Sequence, residues 1–338
     1  MVFRLNQEHL LYILAIDKVF WKIVIRTIQG YLNGRNGAMI DIPIYGTFAK
    51  IEPIKKGMSG DKKYYIETVD GKQLLLRITD SSEYSQKKTE YEAMKEMVAR
   101  NVPMPPPIDF GICDNGKSVY MLLSWVEGVE VEAILPTLSP KEQYQMGLES
   151  GEILRKIHSI QAEDVVSNWS ERYYSVINPR LDAFHSEGVN FPGCEIILDY
   201  LERNRELLDN RPQCRHHGDY HMGNMIQTAS GHLSIIDWHT VDFDNYGDPW
   251  YEFNRIGIEC AEFASGQING YFNNKVPVKF WRLLMYYLSA SAITSIVWSK
   301  YFAPDELSAI LKMNTDILHW FDNMKNPVPT WYLKDFVE

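Results

Sequence analysis

Between residues 46 and 126 apolar and polar residues alternate in short runs, and beyond residue 139 the apolar positions recur at helical spacing. That change of period limits the folds open to the chain more than any motif does. "FAKIEPI", "KYYIETV" and "KQLLLRI", with a turn at Asp70-Gly71, predict a small antiparallel sheet. "SQKKTEYEAMKEMVARN" predicts a helix with an apolar stripe of Tyr91, Met94, Met97 and Val98, and "VPMPPP" stops it. "VYMLLSWV" (119–126) predicts another strand, ending near Gly128. Helices are expected at 139–160, 194–208, 249–263, 279–298 and 304–324, with a hairpin at 224–237. The expected class is α+β. It comprises a sheet-bearing lobe over 46–123, a hinge at 124–128 and a helical lobe over 129–338, with a ligand cleft between the lobes.

A chain of 338 residues builds a core without disulfide or metal staples. Its four cysteines (113, 194, 214, 260) show no C-x-x-C spacing, which suits a reducing compartment, the cytoplasm. A net charge of −10 argues against nucleic acid as a general partner and is compatible with a cationic one. "HLLYILAIDKVFWKIVIRTIQGYL" (9–32) is apolar, yet Asp17, Lys18, Lys22 and Arg26 interrupt it. A transmembrane helix wants roughly 20 mostly apolar residues. Residues 1–45 are therefore expected to be a helical extension and linker, with no transmembrane segment.

"RHHGDYHMGNM" (215–225) crowds three histidines, an aspartate and an asparagine together. His217 and His221 stand four apart, as zinc ligands on a helix do, but Gly218 replaces the glutamate that H-E-x-x-H requires. Glycines at 218 and 223 also disfavour a helix. In contrast, His217-x-Asp219 with Asn224 five residues later matches the spacing of a kinase catalytic loop. There the aspartate handles the acceptor hydroxyl's proton and the asparagine oxygen holds magnesium. "MIQT", "ASGH" and "LSII" then read as strand, four-residue turn and strand. Centred so, Met225 pairs with Ile236, and Asn224 lies opposite Asp237. An amide oxygen and a carboxylate side by side are hard ligands suited to Mg²⁺.

"HHGDYHMGN" followed by "IIDW" resembles the signature of the aminoglycoside phosphotransferase and choline kinase-like family, over roughly Gly57 to Gly257. The resemblance implies a protein kinase-like two-lobe fold, ATP or GTP as co-substrate, and Mg²⁺. It makes Asp219 the catalytic base and Asn224 and Asp237 the magnesium ligands. Gly57, Ser59 and Gly60, in "KKGMSGDKKYY", resemble the family's nucleotide loop. Arg77 stands where kinases carry a strand lysine, and can fork onto phosphate oxygens. Glu90 lies on the inward face of its helix, where a charge needs a partner, and Arg77 is the expected one. "LLSWVEG" resembles the hinge, whose backbone from Ser124 to Val126 would meet the purine. His158 is expected to be structural, and Asp248-Pro249 to cap a helix.

From Asp237 to Glu262 seven acidic residues meet one basic residue, Arg255. Asp242, Glu259 and Glu262, if they face the cleft, suit a cationic small-molecule acceptor of the aminoglycoside type. Macrolide, amino-sugar and choline-like acceptors, and a non-catalytic nucleotide-binding relative, are the alternatives.

Overall fold

Two hairpins in this protein use the same five-residue device. In the computed structural model, which describes residues 39–55, 61–162, 167–238, 246–256, 260–334 and 336, "TVDGK" and "TASGH" turn alike. The threonine amide donates to the carbonyl four residues on, Thr68 to Lys72 and Thr228 to His232, each at 2.9 Å. The glycine amide donates back to the threonine carbonyl, also at 2.9 Å in both. Gly71 and Gly231 have φ of 79° and 84°, the left-handed conformation that closes a three-residue loop. Strands β1 (Phe48–Ile54), β2 (Lys62–Thr68) and β3 (Gln73–Asp80) lie where the alternation predicts.

Contacts divide the chain into two units, one of residues up to Tyr91 with Pro107–Trp125, the other of Glu92–Pro106 with Val126–Glu338. The first holds a five-stranded antiparallel sheet ordered β1-β2-β3-β5-β4, with β4 at Pro107–Cys113 and β5 at Ser118–Ser124. Strand β4 was not expected from the sequence. Its proline, glycine and a bulge between Pro107 and Asp109 hide the alternation, and all are tolerated because it is an edge strand. Leu74, Leu76 and Ile78 alternate onto one face of β3 and pack with Ile66, Tyr120 and Leu122. Arg77 is also buried, but on the strand's other face. Helix α1 (Tyr84–Ala99) buries Lys87, Glu90, Met94 and Met97 at helical spacing, so its inward stripe is half charged.

The second unit is mainly helical: α2 (Pro140–Ile157), α3 (Trp169–Ser186), α4 (Cys194–Arg203), α5 (Ala261–Phe272), α6 (Val278–Phe302) and α7 (Leu307–Trp320). Ser139 and Glu142 close a capping box at the start of α2. Helix α3 contains Pro179, which disguised it in the sequence. The helix expected over 249–263 is instead a 3-10 turn, Pro249–Phe253, and the separate α5, whose N-terminus Cys260 caps. Helix α6 is long and apolar enough to cross a membrane over Val278–Tyr301, but most of that stretch is buried inside the protein. Core packing accounts for its composition. The extension expected over 1–45 lies outside the described residues up to position 38.

Helices α2 and α5 touch through glycines. Gly147 and Gly151 on α2 face Gly266 and Gly270 on α5, each pair one helical turn apart. A Cβ on Gly151 would stand 2.0 Å from the carbonyl oxygen of Gln267, and one on Gly270 would stand 2.1 Å from that of Leu148. The two backbones are in contact, and no larger residue fits between them.

Candidate active site

Residues His216 to Asn224 connect β7 (Cys214–Arg215) to β8 (Met225–Thr228). Each histidine of this loop is a strut. His216 Nε2 meets the Asp248 carbonyl at 3.0 Å. His217 Nδ1 accepts from the Asp219 amide at 3.2 Å, which leaves Nε2–H to donate to the Ile236 carbonyl at 2.9 Å. His221 Nδ1 accepts from the Gly223 amide at 3.2 Å, so Nε2–H faces the Asp219 carboxylate at 3.3 Å. The crowding that suggested metal ligands is explained by backbone hydrogen bonding.

Asp219 is three-quarters buried, and all its partners are donors. Asn224 Nδ2 donates to its carbonyl at 2.9 Å and to Oδ2 at 3.1 Å, and Arg255 Nη1 reaches Oδ1 at 2.8 Å. Burial opposes ionisation of Asp219, but His221's hydrogen bond and Arg255's charge hold its carboxyl down at about 2. With its NH₂ on Asp219, Asn224 is left with its amide oxygen as the acceptor end.

Asp237 reaches this neighbourhood by a register different from the one expected. Met225 pairs with Ile235, Ile226 with Ser234 and Gln227 with Leu233 of β9 (Leu233–Ile235). The loop has three residues, because Gly231 takes the left-handed conformation that a three-residue loop needs. The pairing therefore slips by one: the Ile236 amide donates to the Asn224 carbonyl at 2.9 Å, and Asp237 follows. Asp237 itself has φ of 59°, uncommon outside glycine and sustained where surrounding structure compels it.

Beneath the loop sits a residue the sequence reading did not single out. Glu252, buried, accepts from the His217 amide at 2.9 Å and the Gly218 amide at 2.7 Å. His158 Nε2 meets the same carboxylate at 2.9 Å, and its Nδ1 meets the Tyr271 hydroxyl at 2.9 Å, so His158 is structural as expected. Burial opposes ionisation of Glu252 too, but the surrounding histidines, His158's hydrogen bond among them, bring it down to about 2. Asp248 caps its turn by accepting from the Trp250 amide at 3.0 Å, as expected. It also accepts from Arg211 Nε at 2.6 Å and Nη2 at 2.8 Å and from the Tyr287 hydroxyl at 2.7 Å. Arg211 stacks on the Trp250 ring, 4.0 Å from its centroid.

In the sheet-bearing unit Arg77 Nη1 meets Glu90 Oε1 at 2.7 Å, the pair expected from the sequence. Asp61 and Lys87 join them, and neither was foreseen. Ser124 ends β5 opposite Leu74. Val126 follows in the segment that leads to β6 (Gly128–Glu130). Glu262 lies in the first turn of α5, where a carboxylate suits the helix N-terminus, and accepts from the Cys260 thiol at 3.7 Å. Gly57, Ser59, Gly60, Asp242 and Glu259 lie outside the described residues.

The phosphotransferase enzyme family (APH) matches residues 50–281, more than half of the chain. No curated protein sequence matches it. Among solved structures it is similar to a choline/ethanolamine kinase family protein from Mesorhizobium loti. That likeness has 15% identity and a TM-score of 0.58, over 85% of this chain and 94% of the other. It is also similar to the ADP-bound aminoglycoside phosphotransferase APH(2'')-Ib, with 17% identity and a TM-score of 0.56, over 82% and 99%. A putative fructosamine-3-kinase from Haemophilus somnus shares 15% identity at a TM-score of 0.52, over 80% and 92%. At these identities the likeness shows the fold: kinase-like, with an antiparallel sheet toward the N-terminus and helices toward the C-terminus. The chain is a member of the APH phosphotransferase enzyme family.

Proposed function

We propose that the protein is a small-molecule kinase that transfers the γ-phosphate of ATP or GTP to an acceptor hydroxyl, with Asp219 at the reacting centre. The observation that carries this reading is the pairing of Asp219 with Asn224 on a loop whose backbone is held by Glu252. In phosphoryl transfer the protein mostly positions reactants and neutralises charge. Asp219, an ionised carboxylate, would orient the acceptor hydroxyl and accept its proton as the phosphoryl group passes to it. Arg255, which pairs with Oδ1 at 2.8 Å and is half exposed, would have to be displaced for the hydroxyl to reach that oxygen.

The donor set fits Mg²⁺: the Asn224 amide oxygen and the Asp237 carboxylate would hold it, both hard oxygens. When bound it supplies charge neutralisation on the transferring phosphate. The backbone from Ser124 to Val126 would meet the purine, and Arg77 the phosphates.

An aminoglycoside-type polycation is the acceptor class we favour, on the acidic run. Glu252 holds the loop, the Asp248 carboxylate holds Arg211 and caps its turn, and Asp237 is given to the metal. Of the four acids left, Asp242, Asp244, Glu259 and Glu262, we assign Asp242, Glu259 and Glu262 to the acceptor. The deciding experiment is an initial-rate screen with γ-labelled ATP and GTP across aminoglycosides, macrolides, amino sugars and choline, at low and high salt. Screening shortens the Debye length to ~3 Å near 1 M, so a polycation's KM should climb with salt more steeply than the nucleotide's. A macrolide or choline as best acceptor, or a salt-independent acceptor KM, ends the polycation reading and leaves the kinase reading standing. No labelled product from any acceptor ends both.

A further inference from the structure

Four charged side chains share one buried site in the sheet-bearing unit. Asp61 precedes β2, Arg77 lies on β3, and Lys87 and Glu90 lie on α1; their side chains are only 4%, 6%, 11% and 4% exposed. Arg77 and Glu90 alone would make a closed, neutral pair. Adding Asp61 and Lys87 buries two more charges, a desolvation cost that tight packing of apolar residues would avoid. The geometry of the extra pair is distinctive. A single oxygen, Asp61 Oδ2, accepts from Arg77 Nε at 2.8 Å and from Lys87 Nζ at 3.1 Å, and Arg77 Nη2 stands 2.5 Å from it as an ion pair. A guanidinium and an ammonium that meet on one anionic carboxylate oxygen could meet in the same way on one phosphate oxygen, whose charge both complement. Lys87 also touches Glu90 Oε2 at 3.4 Å, so both cations remain partnered by Glu90 if Asp61 leaves.

We propose that Asp61 occupies, on Arg77 and Lys87, the anion position that a nucleotide phosphate takes, so that nucleotide binding must expel its carboxylate and Lys87 serves as a second phosphate-binding cation. The proposal rests on the reading that Arg77 faces the nucleotide. Its thermodynamic consequence is direct. A site filled by its own carboxylate binds phosphate with an affinity reduced by the fraction of time it is open. Removing that carboxylate's charge should strengthen binding, whereas a merely structural Asp61 would, when lost, loosen Arg77 and weaken it.

Calorimetry on the full chain separates these outcomes, with Mg·ATP, inorganic tripolyphosphate and adenosine as probes. Asp61→Asn should bind Mg·ATP and tripolyphosphate at least ~5-fold more tightly, with adenosine affinity unchanged. Lys87→Met should bind both phosphates at least ~10-fold more weakly, again with adenosine unchanged. Equal or weaker Mg·ATP binding by Asp61→Asn overturns the proposal, as does unchanged binding by Lys87→Met. Arg77→Met distinguishes the underlying reading. If its Mg·ATP affinity is unaltered, Arg77 does not face the nucleotide; if it weakens while Asp61→Asn fails to tighten, only the present proposal is lost. Asp61→Ser is measured in parallel, with thermal melting of each variant, so a folding failure in one leaves the other to decide.

Discussion

The buried carboxylate of Glu252 lies 2.7 Å from the backbone amide of Gly218, the residue before Asp219. With the His217 amide on its other oxygen, one side chain holds two successive peptide groups of the loop in place. Gly218 has φ of 95°, so the chain turns sharply there, and both amides would otherwise lack a strand or helix partner. Glu252→Gln turns one acceptor oxygen into an NH₂ facing an N–H. We expect a loss of about 2–4 kcal/mol in stability and a fall in kcat exceeding any change in nucleotide affinity. Denaturant unfolding and steady-state kinetics check it; wild-type stability would refute it.

Acid stability should carry the signature of the same residue. Glu252 and Asp219 are both held at about 2 in the folded protein, below their ordinary values of 4.5 and 3.8. A depressed carboxylate stabilises the fold above its unfolded pKa, and that contribution is lost as pH falls toward the folded value. Stability should therefore decline between about pH 4.5 and 2, and less steeply in Glu252→Gln. Urea titrations at stepped pH read the slope directly.

Turnover should depend on Asp219 far more than binding does. Asp219→Ala is expected to reduce kcat by roughly 10²–10⁴ while nucleotide still binds. Near wild-type turnover in that variant removes Asp219 from the reacting centre.

Asp237→Ala should lose the metal-dependent part of nucleotide binding, because it removes one of the two oxygen ligands assigned to Mg²⁺. Titrating nucleotide with and without Mg²⁺ measures it. An unchanged Mg²⁺ increment would exclude Asp237 as a ligand.

The glycine contact between α2 and α5 gives a prediction whose sign is informative. In an isolated helix Gly→Ala stabilises by about 1 kcal/mol. Gly151→Ala should instead destabilise, on the order of 3 kcal/mol, since its Cβ would meet the Gln267 carbonyl oxygen at 2.0 Å. A raised melting temperature would show that the helices can part without cost.

Much of this protein is legible in its sequence where the determinants are local. Alternation placed β1, β2 and β3, helical periodicity placed α2, and the spacing of Asp219, Asn224 and Asp237 marked the loop and hairpin. The inward position of Glu90 followed from helical periodicity, and its pairing with Arg77 from the cost of burying a lone charge. Tertiary structure decided what depends on partners distant in the chain. The hairpin register turned on whether Gly231 adopts positive φ, and one residue's difference put Ile236, not Asp237, opposite Asn224. Glu252 and Asp61 show no periodicity that separates them from solvated acids, and Lys87, though it lies on the inward stripe of α1 with Glu90, has its second carboxylate partner, Asp61, 26 residues away. Only the positions of the His217 and Gly218 amides, and of Arg77, make them parts of a site. Likewise Gly147, Gly151, Gly266 and Gly270 read as helix-weakening residues until α2 and α5 are brought together, because the free energy of a close backbone contact belongs to the pair and to neither helix alone.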